Sequence, residues 1–468
     1  MKRQALDVFA SGLAPEVRDA IMAGTTRVLE KRQTTLAEDY ADPDSLRLLA
    51  GQVRQHALDH LDRYLPLAES RLRDNGVQVH FARSTGRALD IITGLVHASG
   101  TRVVTKSKSM ASEELDLARR LADVGVEALE TDLGEFVIQL DDDHPSHIVA
   151  PIIHKTRRDV AASFARHGLG DYDDDPEVIT RRARRYMRKK FLEAKVTITG
   201  ANFISAESGR VAIVTNEGNA RFGLAGADVH IVLAGIEKVV ARDRDLPLLL
   251  SLLVRSATGQ RISSYVEFVS GPRSAKQPSG PREMHVVFLD SNRSKIVGGE
   301  MRQILRCIRC GACMNTCPVY RQSSGHAYRG VYPGPVGSVL GPLLKDDENF
   351  AELSDLARAS TLCGACGDVC PVNIPLPDLI ARVRARSHRE GTVHGKQGVP
   401  PMWSYSLLAR HPMLWRLAMR LGQVLNWLPL QHLPLSAARA WSGSRTLPRW
   451  RGGRFRRWIR SRPRDQDG

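Results

Sequence analysis

The sequence predicts an α/β protein: an open, mostly parallel sheet, then a small helical module built around cysteines, then a helical C-terminal segment. Three observations predict it. Between about residues 77 and 290, short apolar stretches alternate with helical ones, the pattern of a parallel sheet whose crossovers are helices. Between 300 and 390 stand two runs that hold all seven cysteines. Beyond 393 the character changes again, and all six tryptophans fall in the last 66 residues.

The elements follow in order. Residues 1–76 read as a helical N-terminal segment, because "LRLLAGQVRQHALDHLDRYLPLAESRLRDNG" carries apolar residues at helical spacing and ends at Gly76. The α/β domain is placed at 77–295. Its strand candidates are "VQVHFA", "TRVVTKS", "VEALETDLG", "KVTITGANF", "RVAIVTNEG", "DVHIVLAG" and "MHVVFLD". Helices such as "SEELDLARRLADVG" and "DPEVITRRARRYMRKKFLEA" lie between several of them, and the linker "GPRSAKQPSGPRE" precedes the last strand. The cysteine module takes 296–392. A loop rich in glycine and proline, "GHAYRGVYPGPVGSVLGP", and a helix, "KDDENFAELSDLARAS", separate its two runs.

Residues 393–436, which include "LLARHPMLWRLAMRLGQVLNWLPL", read as C-terminal docking helices for the cysteine module or a partner. Contact with a membrane surface is the second reading of their apolar stripe and arginines. The tail, 437–468, holds ten arginines against Asp465 and Asp467 and reads as disordered.

Composition narrows the class. No uninterrupted apolar stretch reaches the length of a spanning helix, and the N-terminus lacks the apolar core of a secretory signal. The expected compartment is the cytoplasm, with peripheral contact at the inner face of a membrane as an addition. An odd number of cysteines, all in metal-type spacing, argues against a disulfide framework. The net charge of +16 raises nucleic acid as a partner, but no finger, helix-turn-helix or RNA-binding signature accompanies it. Nucleic acid is therefore not expected.

The cysteine runs carry the chemistry. "CIRCGACMNTCPVY" sets Cys307, Cys310, Cys313 and Cys317 at x2, x2, x3 spacing before Pro318. That rhythm wraps one loop around three corners of a [4Fe-4S] cube and sends the fourth cysteine to a second cluster. Zinc knuckles are paired Cys-x2-Cys elements and do not explain the rhythm occurring twice. The expected first cluster takes Cys307, Cys310, Cys313 and Cys370. The second takes Cys363, Cys366 and Cys317, and its fourth corner falls on Ser360 in "STLCGACGDVCPVNIP". There an alkoxide could ligate iron, water could fill the corner, or the corner iron could be missing to leave [3Fe-4S]. Two iron–sulfur clusters are thus the expected cofactors, the second with a non-cysteine corner.

At this point the chain resembles the lactate utilization protein B family, the iron–sulfur subunit of a bacterial L-lactate-oxidising system. The residues that carry the resemblance include "VVTKSKSM" (103–110), "ETDLGEFVIQL" (130–140), "PSHIVAPIIHKTR" (145–157), "ITGANFISAESG" (198–209), "VTNEGNAR" (214–221), "GIEKVV" (235–240), both "CIRCGACMNTCPVY" and "GHAYRGVYPGPVG" (325–337), and "HGKQGVPPMWSYSLLARHP" (394–412). The resemblance implies a lactate-utilization (LUD) domain similar to the sugar-phosphate isomerase and CoA-transferase superfamily. It also implies electron transfer as the role, with a cysteine-rich redox partner and a second LUD-domain subunit, and makes Ser360 a regular feature. Fold alone gives no reaction.

Within the α/β domain the candidates are loops at strand ends. "TKSKSM" puts Lys106 and Lys108 between a strand and a helix, where an anion could bind. The plainer alternative is a solvated loop with a helix cap. "TNEGNAR" offers Asn216 and Glu217, the latter resembling the nucleophilic glutamate of CoA transferases; a turn capped by its asparagines is the alternative. The rival function is therefore an enzyme with an acyl-transfer or isomerase-like site around Glu217, its clusters structural or redox-sensing. Glu130, Asp132 and Glu135 have no defined metal spacing, and His147 and His154 are poor candidates as metal ligands.

Overall fold

The computed structural model describes residues 13–275, 277–345, 349–391, 402–425, 458–459 and 461–462. Ten strands form: β1 (Gln78–Ala82), β2 (Val103–Lys106), β3 (Glu127–Glu130), β4 (Val196–Gly200), β5 (Phe203–Ser205), β6 (Val211–Thr215), β7 (Val229–Gly235), β8 (Val239–Val240), β9 (Tyr265–Val269) and β10 (Glu283–Leu289). Six of them make an all-parallel sheet in the order β1-β10-β7-β4-β2-β3.

Its central strands are apolar in consecutive positions because both faces are covered. On one face Ile92, Val96 and Leu121 pack against Val104, Ile198, Ile231 and Val287. On the other, Leu61, Ala68 and Leu72 pack against Val79, Val232, Val286 and Phe288. Chain order reverses between β2 and β4: β3 lies beyond β2, whereas β7 and β10 follow beyond β4. In open α/β sheets, ligands bind at the carboxyl ends of strands beside such a reversal.

Several elements differ from expectation. "KVTITGANF" is two strands, not one: β4 ends at Gly200, and β5 joins a second sheet, β8-β5-β6-β9, that also takes β6. β6 runs antiparallel to both β5 and β9. "SEELDLARRLADVG" breaks into Met110–Glu114 and Leu117–Asp123 because Asp116 takes a left-handed φ of 50°. The helix expected before the second cysteine run shortens to Ala351–Ser354 and a 3-10 turn, Asp355–Ala359.

The N-terminal helices Pro15–Asp39 and Pro43–Asp59 pack into the core of the cysteine module, where Ile21, Leu36, Ala50 and Leu58 join Ile304, Tyr320, Leu356 and Ile380. Three arginines fasten them. Arg32 donates to the Val369 carbonyl at 2.9 Å, Arg47 to Cys370 at 2.9 Å and Gly367 at 3.1 Å, and Arg54 to Leu305 at 3.2 Å.

Residues from His394 form a separate unit. Two helices form there, Met402–Arg410 and Pro412–Leu425, and divide before Pro412 because proline is tolerated at a helix start but not within it. Tyr405 and Trp415 meet edge-on across the pair at 5.9 Å. The arginine-rich tail, expected to be disordered, lies outside the described residues except at 458–459 and 461–462. No helix among the described residues is long and apolar enough to cross a membrane.

Candidate iron–sulfur centre and adjoining cavity

The two cysteine runs fold alike. In each, the residue before the second ligand position and the glycine after it are left-handed: Arg309 (φ 63°) and Gly311 (φ 76°), then Leu362 (φ 54°) and Gly364 (φ 91°). Such turns aim successive amides into one concavity, an environment suited to an anionic cluster. Short helices, Ala312–Thr316 and Ala365–Asp368, then carry the chain to the cysteine before proline. The likeness extends to the odd position. The Arg309 amide lies 3.4 Å from Cys307 Sγ, and the matching Leu362 amide lies 3.2 Å from Ser360 Oγ. The Ser360 hydroxyl therefore stands in its run where the Cys307 thiol stands in the other.

The thiols fall into two groups across the runs. Burial pushes Cys310 up to about 12 and Cys370 to about 11, with Cys307 adding to both. Burial likewise pushes Cys366 up to about 12, with Cys317 and Cys363 adding. Cys313 is raised by burial and then by Cys307, Cys310, Cys366 and Cys370, so it faces both groups. All seven thiols are free of disulfides. Amides reach them: Tyr320 N lies 3.5 Å from Cys317 Sγ, and Ile374 N lies 3.3 Å from Cys370 Sγ. Crowded, buried thiols with amide donors ionise readily only beside a compensating cation. The donor set fits iron–sulfur clusters on that ground. Cys310, Cys366 and Cys370 are buried, whereas Cys363 is exposed.

A cavity of about 390 Å3 opens at the carboxyl ends of β2, β4 and β7, beside the chain reversal. Lys108, Asp132, Asn216 and Glu217 line it, as do Lys238 and Arg309, so its wall includes the first cysteine run. The expected ligand residues take different places. Lys106 is fully buried: its ammonium donates to Glu130 at 2.7 Å and Glu113 at 2.9 Å, with Glu135 at 3.9 Å. It is held by carboxylates rather than presented to the cavity. Lys108 lines the cavity and donates to the Val149 carbonyl. Asn216 braces its turn, donating to Gln260 at 3.0 Å and accepting from Ser263 at 3.1 Å.

Glu217 is exposed at the cavity wall and accepts the Leu133 N–H at 3.0 Å. The chain packed around its carboxyl and the nearby Asp132 push it up to about 7.

Sequence reasoning missed the other end of this cavity. Glu237 is buried between Arg293 (2.7 Å) and Arg309 (3.4 Å), and these cations outweigh burial to pull its carboxyl down to about 2. Arg293 also pairs with Glu114 at 2.6 Å, and the Arg309 guanidinium lies 4.6 Å from the Tyr332 ring centre. Gly235 must be glycine, since a Cβ there would run into Glu237 and Arg293. The available signal was "GIEKVV", charged residues directly after an apolar strand.

An open parallel α/β domain joined to paired cysteine loops defines an iron–sulfur protein of the LUD class. Residues 65–289 match the LUD domain, and 303–374 match the 4Fe-4S dicluster domain. Over 96% of this chain and 94% of its own length, lactate utilization protein B of Shouchella clausii is 39% identical. The Bacillus subtilis protein of the same name is 36% identical over 97% of this chain and 95% of its own. An uncharacterized electron transport protein of Escherichia coli, YkgF, is 39% identical over 95% and 94%. The chain belongs to the lactate utilization protein B family. A solved structure, a DUF162 family protein from Deinococcus radiodurans, aligns with 49% of this chain and 98% of its own at 12% identity and a TM-score of 0.27, too loose a likeness to add to the fold.

Proposed function

We propose that this chain is the iron–sulfur electron-transfer subunit of a multi-protein system that oxidises L-lactate to pyruvate. The observation that supports the reading is the like folding of the two cysteine runs, in which Ser360 takes the turn position that Cys307 takes in the other. When bound, the two clusters supply one-electron carriers, and lactate oxidation releases two electrons. Cys307, Cys310, Cys313 and Cys370 would hold the first cluster; Cys317, Cys363 and Cys366, with Ser360 at the fourth corner, the second.

The relatives' names, which speak of lactate utilization and of electron transport, support the same role. So does the contrast in exposure, since Cys363 is open to solvent while the first group is largely buried. A redox partner, cysteine-rich in this reading, would dock at the Cys363 face, and a second LUD-domain subunit would complete the system. The domain division that goes with it is an α/β LUD domain over 77–295 and a cluster domain over 296–392.

Iron and sulfide analysis with electron paramagnetic resonance, on anaerobically purified protein, tests the reading. About eight irons per chain and two interacting reduced cubane signals are expected. About seven, with an oxidised [3Fe-4S] signal, would mean that Ser360 leaves its corner empty; little iron would defeat the assignment. Ser360→Cys separates the remaining cases. Because the hydroxyl superimposes on a thiol position, the variant is expected to give the second cluster an ordinary four-thiolate spectrum. An unchanged spectrum would show that position 360 does not touch the iron.

A further inference from the structure

The cavity beside β2 and β4 has a charged end at which one cation has no partner among the described residues. Lys238 lines it, and among the described residues its ammonium has no hydrogen bond or ion pair. Arg309 lines it too, more than nine-tenths buried, with Nη2 donating to Glu237 at 3.4 Å and the guanidinium against the Tyr332 ring. Glu237 is in turn shared with Arg293, so the carboxylate present is already committed to two guanidinium groups.

A charged donor largely withdrawn from water and left without a partner costs free energy, so the Lys238 ammonium in this cavity wall points to a ligand. The rest of the wall is mixed, with Asp132, Asn216 and Glu217 on it beside apolar side chains. Ile213, Val214, Leu253 and Val254 line the same space, and an apolar lining with a few convergent polar groups is the ordinary make-up of a small-molecule site. The volume, about 390 Å3, leaves room for more than a three-carbon acid.

We propose that this cavity binds an organic monocarboxylate with an apolar tail, its carboxylate against Lys238 beside Arg309 and its tail along the apolar wall. The three N–H donors of one ammonium match a single carboxylate. A hydrophilic anion such as sulfate would leave the apolar wall dry and unused. Arg309 ties the site to the first cysteine run, because its side chain faces the cavity while its amide lies 3.4 Å from Cys307 Sγ. A bound carboxylate therefore sits one side chain away from that run. The proposal stands apart from the electron-transfer reading, and each can fail without the other.

The test uses the full chain, purified anaerobically with its iron, in calorimetric titrations with straight-chain 2-oxo acids from pyruvate to 2-oxooctanoate. Saturable one-to-one binding is expected, tightening about fourfold per added methylene until the wall is covered. Lys238→Met is expected to weaken binding tenfold or more at unchanged iron content. Ala257→Phe, which fills the cavity without altering charge, is expected to abolish it.

Binding by sulfate or phosphate as tight as by the longest acid, with no dependence on chain length, would overturn the proposal. So would the absence of binding by iron-replete protein, which would leave Lys238 as a counter-charge to the Cys307 run and the redox reading intact. Iron-poor protein that still binds the acids would uphold the site and defeat the redox reading instead.

Discussion

Replacing Cys370 with alanine should remove the cluster of the other run. The residue follows Cys363 and Cys366 in sequence, and a local reading would assign it to them. Its surroundings favour the other run: Cys307 raises the Cys370 thiol, whereas Cys317 and Cys363 raise Cys366. In the two-cluster pattern the fourth cysteine, just before proline, serves the cluster of the other run.

A Cys370→Ala protein is therefore expected to lose about four of its eight irons and to keep the signal of the cluster with the serine corner. Cys317→Ala should do the opposite. Iron analysis and paramagnetic resonance on the two variants decide the matter, and loss of the serine-corner signal in Cys370→Ala would refute the crossed pairing. The fold is expected to survive more fully in Cys317→Ala. Cys370 lies under the N-terminal helices, its carbonyl bonded to Arg47 at 2.9 Å, whereas Cys317 opens the short helix Pro318–Ser323.

What the sequence disclosed and what it concealed divide along physical lines. The strands of the large sheet were legible because burial on both faces makes them short continuous apolar runs, as in Val229–Gly235 and Glu283–Leu289. Of the second sheet, β6 was legible in "RVAIVTNEG", whereas β8 and β9 were not. β8 has two residues, and β9 leaves Val266 and Phe268 substantially exposed, so neither shows a clean period. The N-terminal helices read as polar because their inward faces carry Arg32 and Arg54, whose guanidinium groups satisfy backbone carbonyls hundreds of residues away.

The cysteine spacing is a local code and could be read directly. The cavity is assembled from positions as distant as Lys108 and Arg309, and one chain gives no sign of which distant charges meet. The same limit applies at "TKSKSM". Spacing cannot show that the first lysine turns inward to Glu113, Glu130 and Glu135 while the second reaches the cavity wall.

That inward lysine carries the second large effect. Three carboxylates, from Glu113, Glu130 and Glu135, come within 4.8 Å of one another around the Lys106 ammonium. Burial first, and repulsion between them second, raises Glu130 and Glu135, while the same carboxylates hold the Lys106 ammonium well above its usual range against the opposing effect of burial. Lys106→Met removes the cation that all three carboxylates share and leaves Glu130 and Glu135 buried. Breaking a buried charge pair from one side costs about 3–5 kcal/mol, a large share of the roughly 5–15 kcal/mol that holds a domain folded.

The sign of the pH dependence follows from the raised carboxyls. In the folded protein they bind protons that the unfolded chain has already released, so their contribution to stability is greatest at low pH. It declines as pH rises from the ordinary carboxylate range through the folded values. Without Lys106 the folded values rise further and the decline steepens. Denaturant melts at pH 5.5 and 8 are therefore expected to differ more in Lys106→Met than in the parent protein. Adding Glu135→Gln should recover part of the loss at pH 8 and little at pH 5.5, because the amide mimics the protonated acid. Equal losses at both pH values would show instead that Lys106 contributes packing alone.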